Sequence, residues 1–362
     1  MSERCNILVT GTGFFAERLL FDLAVIAPQP VRVVIAGRNR ARAEWLATTA
    51  NARAAVFARP AAFEAAVLAW DTPAAIAETV GPLGPEAVIQ TASLQSPWDL
   101  VDHPESPWSK FVNRLGGLGA LAFLQALLTA RVARAMTLAG IPGALANACY
   151  PDLTNRILAL LGLEVACGLG NVAILAAAFA ADLGVRNPGV VRVLAHHRNL
   201  AMFFRPVAER QGPPPRVWVE GEEIPDAQAR FAHLHLPRKA TVNALAGGTA
   251  APVALALAGL TDYQGHVPGP LGLVGGYPVA LRDGRLALDL PPGLTAEAAA
   301  LWFHGFEAWE PLRVADDGQL SFNERAAAAL RPHLPALADG FPVDDLEPAC
   351  AAVLALRQRL TA

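Results

Sequence analysis

The sequence predicts an α/β fold: an N-terminal doubly wound parallel sheet followed by a C-terminal α+β domain. Three observations predict it. Short apolar runs alternate with helical stretches from residue 6 to residue 148, the pattern of parallel strands joined by crossover helices. A glycine-rich turn follows the first apolar run and opens a helix. Beyond residue 150 the alternation gives way to helices mixed with hairpin signals. A chain of 362 residues exceeds what one core usually holds, so two domains are expected, 1–150 and 151–362.

Residues 6–10 (NILVT) read as a buried strand, and the stretch after the glycine turn reads as a helix to about Ile26. Residues 31–36 (VRVVIA) form the second strand. The Ala- and Arg-rich run 41–51 reads as a helix, 54–57 as a short third strand, 73–80 as a helix and 87–91 (AVIQT) as the fourth strand. Residues 92–108 (ASLQSPWDLVDHPESPW) are polar and rich in proline and tryptophan. They read as a long loop, of the kind that often closes over a substrate. A long helix at 116–136 and a strand at 144–148 complete the first half, which ends at Tyr150-Pro151-Asp152. In the second half, helices are expected at 153–161, 171–183, 240–258, 297–310 and 345–359, with strands at 190–195 and 217–219. Residues 279–290 (VALRDGRLALDL) form a hairpin turning on Asp283-Gly284, and a second short hairpin turns on Asp317-Gly318.

Composition narrows the function classes. Apolar residues make up 53% and charged residues 17%, which excludes a disordered chain. A net charge of -3 offers no footprint for nucleic acid, so no nucleic-acid partner is expected. Cys5, Cys149, Cys167 and Cys350 are scattered without a CxxC pair, so neither a disulfide framework nor a metal site is expected. Two apolar stretches, 116–136 and 165–181, have spanning hydropathy. The first carries Gln125, Arg131 and Arg134; the second contains Asn171 and is shorter than the roughly 20 residues a span needs. Both read as buried core helices. With no basic leader before the first strand, no membrane partner is expected and the expected location is the cytoplasm.

The turn Gly11-Thr12-Gly13-Phe14-Phe15-Ala16 fits GxGxxA between strand and helix, the phosphate-binding turn of a Rossmann domain. Gly11 permits the tight turn, Gly13 admits a pyrophosphate to the backbone, and Ala16 lets helix and strand pack closely. The second strand runs into Gly37-Arg38-Asn39-Arg40, where NAD enzymes usually carry a carboxylate for the ribose 2′-hydroxyl. Arginine there suits a 2′-phosphate. The expected cofactor is therefore NADP, held by Gly11 through Ala16, by Arg38, Asn39 and Arg40, and by Thr91, Ala92 and Asn147 near the ends of later strands.

Four segments in order, GTGFFA, the loop at 92–108, Asn147 to Asn155 (NACYPDLTN) with GLEVACGLGN, and VVRVLAHHRN, resemble the lactate/malate dehydrogenase superfamily. The resemblance places His197 at the proton-transferring histidine and His196 just before it; with Asn171, at the start of the helix after the glycine turn, they are the candidate catalytic residues. Histidine suits that role because its pKa lies near neutrality. The family's histidine-orienting Asp and carboxylate-binding Arg are missing from the helix after Asn171, and no Arg lies in 92–108. Asn171 or Asp152 is left to orient His197, and His103, Lys110 and Arg114 are alternative acids or cations. These departures imply an NADPH-dependent reductase of a C=O or C=N bond in a small molecule other than a 2-oxo acid. The superfamily's usual assembly implies a homodimer. Two alternatives stay open: an NAD- and metal-dependent glycosidase pairing Cys167 with His197, and a non-catalytic NADP-binding protein.

Overall fold

The computed structural model describes residues 5–237 and 240–361. Six strands form one parallel sheet: β1 (Ile7–Thr10), β2 (Val31–Gly37), β3 (Ala61–Val67), β4 (Ala87–Gln90), β5 (Ala144–Asn147) and β6 (Cys167–Gly168). Their order is β3-β2-β1-β4-β5-β6. Ile7, Leu8, Val9, Val88 and Ile89 are fully buried, because helices cover both faces of a parallel sheet. The strand order reverses between β1 and β4, which opens a crevice at their carboxyl ends.

The connections are α1 (Phe14–Ile26), α2 (Arg40–Val56), α3 (Pro73–Leu83), α4 (Pro97–Asp102), α5 (Pro107–Arg114), α6 (Ala122–Leu138) and α7 (Pro151–Leu160). Beyond the sheet come α8 (Val172–Asp182), α9 (His197–Met202), α10 (Ala227–Arg230), α11 (Ala240–Leu257), α12 (Ala296–His304), α13 (Glu324–Leu330), α14 (Pro335–Ala338) and α15 (Leu346–Thr361). Three small antiparallel sheets accompany them. They are β7 (Val191–Leu194) with β8 (Arg216–Val219) and β9 (Glu222–Glu223); β10 (Tyr263–Pro268) with β11 (Gly276–Arg282) and β12 (Arg285–Leu288); and β13 (Leu312–Val314) with β14 (Gln319–Phe322) and β15 (Phe341–Pro342). The fold class is as expected.

The second half packs tightly on the first. A Cβ on Gly247 of α11 would lie 2.7 Å from the Arg18 Cβ and 2.8 Å from the Arg18 carbonyl carbon of α1. Only glycine allows the two helices so close. One core joins Leu8, Val88 and Phe123 to Leu320, Val353 and Leu356. The sheet itself takes β6 from beyond residue 150.

Five elements differ from the sequence reading. The helix expected at 41–51 runs on through Val56, so 54–57 is not a strand. The third strand is instead Ala61–Val67 (AAFEAAV), an alanine-rich segment made extended by full parallel registry with β2, from Val31–Ala61 to Gly37–Val67. The loop expected at 92–108 contains α4 and α5, each opened by a Ser-Pro pair. Ser96 accepts from the Trp98 N–H and Ser106 from the Ser109 N–H. Trp108 is buried and donates to Gln95 Oε1 at 2.7 Å, so much of this segment is packed. The helix expected from residue 116 begins only at Ala122, because Gly116 and Gly117 adopt φ of 102° and 103°. Helix α12 stops at His304 rather than reaching Glu310. The apolar stretch Leu118–Leu138 meets the length and hydropathy of a span, and 83% of its 18-residue apolar window is buried inside the protein.

Candidate active site

The turn after β1 has two different glycines. Gly11 sits at φ +113°, and a Cβ there would lie 2.4 Å from Thr91 Oγ1 and 2.9 Å from the Ala92 nitrogen. The close approach of β4 therefore requires glycine. Gly13 has nothing within 4 Å of a built Cβ, so its face of the turn is open. It precedes α1, whose first turn receives no side-chain cap. The leading N–H groups and the positive end of the helix dipole are left for an anion. Ala16 is fully buried against the sheet, Phe15 is half-buried, and Phe14 lies under the Arg18 guanidinium at 4.8 Å. Thr12 packs over Gly37, where a Cβ would meet its methyl group at 2.7 Å.

At the end of β2, Arg38 is exposed and has no ion-pair or hydrogen-bond partner among the described residues. Its neighbours are engaged. Asn39 caps α2 by accepting from the Arg42 N–H at 2.9 Å, Arg40 pairs with Glu44 at 2.8 Å, and Arg42 pairs with Glu17. Thr91 Oγ1 donates to the Thr10 carbonyl at 3.0 Å, and Gln90 Oε1 accepts from the Ala92 N–H at 2.8 Å. The Asn147 side chain is spent inside the protein: it donates to Thr154 Oγ1 at 2.8 Å and Asn155 Oδ1 at 2.9 Å and accepts from Thr129 and the Cys149 N–H. It fixes the turn after β5 and offers a cofactor no free side-chain group.

That turn presents Tyr150, held at φ 54°. Its hydroxyl shares a 2.7 Å hydrogen bond with His197 Nε2. The two histidines follow β7. Asn199 Oδ1 accepts from the His196 N–H at 2.8 Å and fixes the start of α9. His196 is 3% exposed and stacks on Phe306 at 4.7 Å. Burial pushes its pKa well below the usual value. Glu310 is 8% exposed and lies past α12. Its Oε1 is 3.4 Å from His197 Nε2, 4.0 Å from His196 Nδ1 and 3.6 Å from Arg198 Nη1. Burial alone would lower the His197 pKa, but Glu310 and Asp152 outweigh it and hold it above the ordinary value. Burial alone would raise Glu310, but His197 and Arg198 hold it down.

Asn171 donates to Asp152 Oδ2. Neither residue hydrogen-bonds the His197 ring; Tyr150 does, and Glu310 is its nearest carboxylate. His103, Lys110 and Arg114 are all exposed, and Lys110 pairs with Glu105 at 2.9 Å. Cys167 is buried in β6 outside the His196–His197–Glu310 group. A cavity of about 360 Å³ opens beside His196 and Glu310, walled by Leu153, Tyr277, Phe303 and Phe306 and by the charged Arg156 and Arg313.

No family model matches the sequence, and no curated protein matches it. Solved structures do. The minor L-lactate dehydrogenase from Enterococcus mundtii, in ligand-bound form, is 14% identical over 85% of this chain and 97% of that chain, with a TM-score of 0.52. The malate dehydrogenase from Cryptosporidium parvum is 15% identical over 84% of this chain and 96% of that chain, with a TM-score of 0.50. The chain has the lactate/malate dehydrogenase-like fold.

Within this dehydrogenase-like fold, the open turn at Gly13 and the loop carrying Tyr150 both lie at the carboxyl edge of the sheet, after β1 and β5. The residues present fit a dinucleotide: an uncapped helix start, a glycine with room before it, and an exposed Arg38 beyond β2. Sequence reasoning brought His196 and His197 forward but missed Tyr150 and Glu310. Tyr150 had a signal, a tyrosine three residues past the end of β5 at the carboxyl edge. Glu310 had none, because its approach to the histidines is set by tertiary packing of α12 on β11 and not by any local spacing.

Proposed function

We propose that the protein is an NADPH-dependent reductase of a C=O or C=N bond in a small metabolite or biosynthetic intermediate. The observation that carries this reading is the His197–Tyr150 hydrogen bond, which ties the buried histidine cluster to the loop after β5 at the edge where α1 presents its open N-terminus. The fold it shares with dehydrogenases supports the reading. The cofactor, when bound, supplies the hydride. The chain holds it at Gly11, Gly13 and the start of α1, with Arg38 beside the ribose. His197 places positive charge where the reduced bond gains negative charge, and gives the proton. Tyr150 and Glu310 orient its ring, and Glu310 stabilises its charged form. The first turns of α8 carry only apolar side chains and offer no carboxylate clamp, so a 2-oxo acid does not suit the site. The cavity beside His196, with apolar walls at Leu153, Tyr277, Phe303 and Phe306 and charged ones at Arg156, Glu307, Arg313 and Asp316, accommodates the body of the substrate.

The test is turnover of NADPH against a panel of ketones, aldehydes and imines. His197→Ala should lower turnover roughly 10²–10⁴-fold while NADPH affinity barely changes. Full turnover in that variant rejects His197 as the acid, and absence of NADPH binding by the wild type rejects the reading.

A further inference from the structure

Among the described residues, one group of three side chains could hold a metal ion: His196, His197 and Glu310, whose ligating atoms all lie within 4.8 Å of one another. The fold assembles it from two distant segments, the start of α9 and the chain after α12. Donors about 2.1 Å from a tetrahedral ion sit roughly 3.4 Å apart. Glu310 Oε1 is 3.4 Å from His197 Nε2 and 4.0 Å from His196 Nδ1, so closing the set requires His197 Nε2 to exchange its Tyr150 hydrogen bond for the ion and the imidazoles to draw together.

A second observation points to the same ligand. His196 Nδ1 and both Glu310 carboxylate oxygens are buried without a hydrogen-bond partner. Buried polar atoms are rarely left so, although the charges of His197 at 3.4 Å and Arg198 at 3.6 Å offset part of the cost of burying the Glu310 carboxylate. All three lie in the cluster, and His196 and Glu310 form part of the cavity wall, which gives an ion access and leaves positions for a ligand. Metal-bound histidine usually donates its second ring nitrogen to a carboxylate. His197 Nδ1 and Asp152 Oδ1 are likewise buried and unpartnered.

We propose that His196, His197 and Glu310 form a site for one divalent first-row transition metal ion, of the Zn²⁺ or Mn²⁺ type, opening onto the cavity. Two imidazoles among three donors select such an ion over Mg²⁺ or Ca²⁺, which take oxygen ligands. The inference rests on the reductase reading only for the ion's role, which is to polarise the reacting bond in place of the charged imidazole, with solvent water then supplying the proton that completes the reduction. Binding of the ion stands without that reading. The site uses no cysteine, and so differs from the Cys167–His197 pairing that the sequence left open.

The experiment uses the full chain after EDTA treatment. Co²⁺ is titrated by its visible absorption and Zn²⁺ by calorimetry, beside a titration of the same protein with NADPH. One ion per chain is expected. His196→Ala and Glu310→Gln should each weaken it by more than the roughly 10–100-fold that loss of an outer-shell partner costs. Cys167→Ser should leave it unchanged, and unchanged circular dichroism shows that the Gln variant is folded. No saturable binding, or binding that survives both ligand substitutions or is lost in Cys167→Ser, would overturn the site. Metal-free protein that oxidises NADPH at full rate overturns the ion's role and leaves the reductase reading standing. An ion at one per chain with no NADPH binding supports the site and removes the reductase reading.

Discussion

Arg38 and Glu310 show what a single side chain gains from its surroundings. Arg38 stands at the exposed end of β2 with no described partner, while Arg40 and Arg42 are committed to Glu44 and Glu17. A free guanidinium beside a ribose site is available to a 2′-phosphate. Tighter binding of NADPH than NADH is therefore expected, and Arg38→Asp should flatten or reverse that preference. Loss of one charge-assisted contact costs about 1.5–3 kcal/mol, readable by fluorescence titration with both cofactors. Equal affinity of the wild type for the two would sink the assignment. Arg38 was legible because strand, glycine and arginine are contiguous in the chain. The glycine turn was legible for the same reason. Glu310 was not: its neighbours in space are the histidines, and nothing near it in the sequence says so.

At the scale of elements, the strength of the local signal decided what could be read. The Asp283-Gly284 hairpin was read correctly because its turn demands two residues at positive φ, and they stand at 50° and 71°. Strand β3 was not, since AAFEAAV has helix-forming composition and only pairing with β2 makes it extended. The Ser-Pro starts of α4 and α5 were present in the sequence, but proline was read there as loop. A tertiary ion pair joins two of the small sheets. Asp289, just past β12, receives two 3.0 Å hydrogen bonds from Arg192 Nη2 on β7 and one of 2.8 Å from Gln264 on β10. Burial alone would raise the Asp289 pKa, but Gln264 and Arg192 hold it below the ordinary value. A lowered folded-state pKa gives stability that is fully present above the unfolded pKa of about 3.9 and is lost as pH falls through the folded value. Asp289→Asn should cost on the order of 1 kcal/mol at neutral pH. In urea melts, its deficit relative to wild type should be constant above about pH 5 and shrink below pH 4. A deficit independent of pH would show that Asp289 acts by shape alone.

For the whole molecule, the question is whether the two halves unfold together. Helix α15 is the last element of the chain, yet it packs on α5 and α6 of the first half, burying Leu346, Cys350, Val353 and Leu356. The Cys350 thiol lies 3.6 Å from the Phe123 carbonyl oxygen, and Arg131 pairs with Glu347 at 3.4 Å. Strand β6 completes the sheet from beyond residue 150, and α11 seats Gly247 directly on α1. Cutting near 150 would thus strip the sheet of its edge and the first core of its last helix. Each large apolar side chain so exposed forfeits roughly 1.5–3 kcal/mol, against a total margin of about 5–15 kcal/mol. Three of them from α15 alone approach that margin. The intact chain should therefore unfold in one transition, with tryptophan fluorescence and circular dichroism coincident. NADPH should move that whole transition to higher temperature, because a ligand that binds only the folded state stabilises every part coupled to its site. Leu356→Ala should lower the same midpoint by the equivalent of about 2–5 kcal/mol, although it lies far along the chain from Gly13. Two separated transitions, with NADPH shifting only the first, would show that the halves are independent and that the shared core is too weak to couple them.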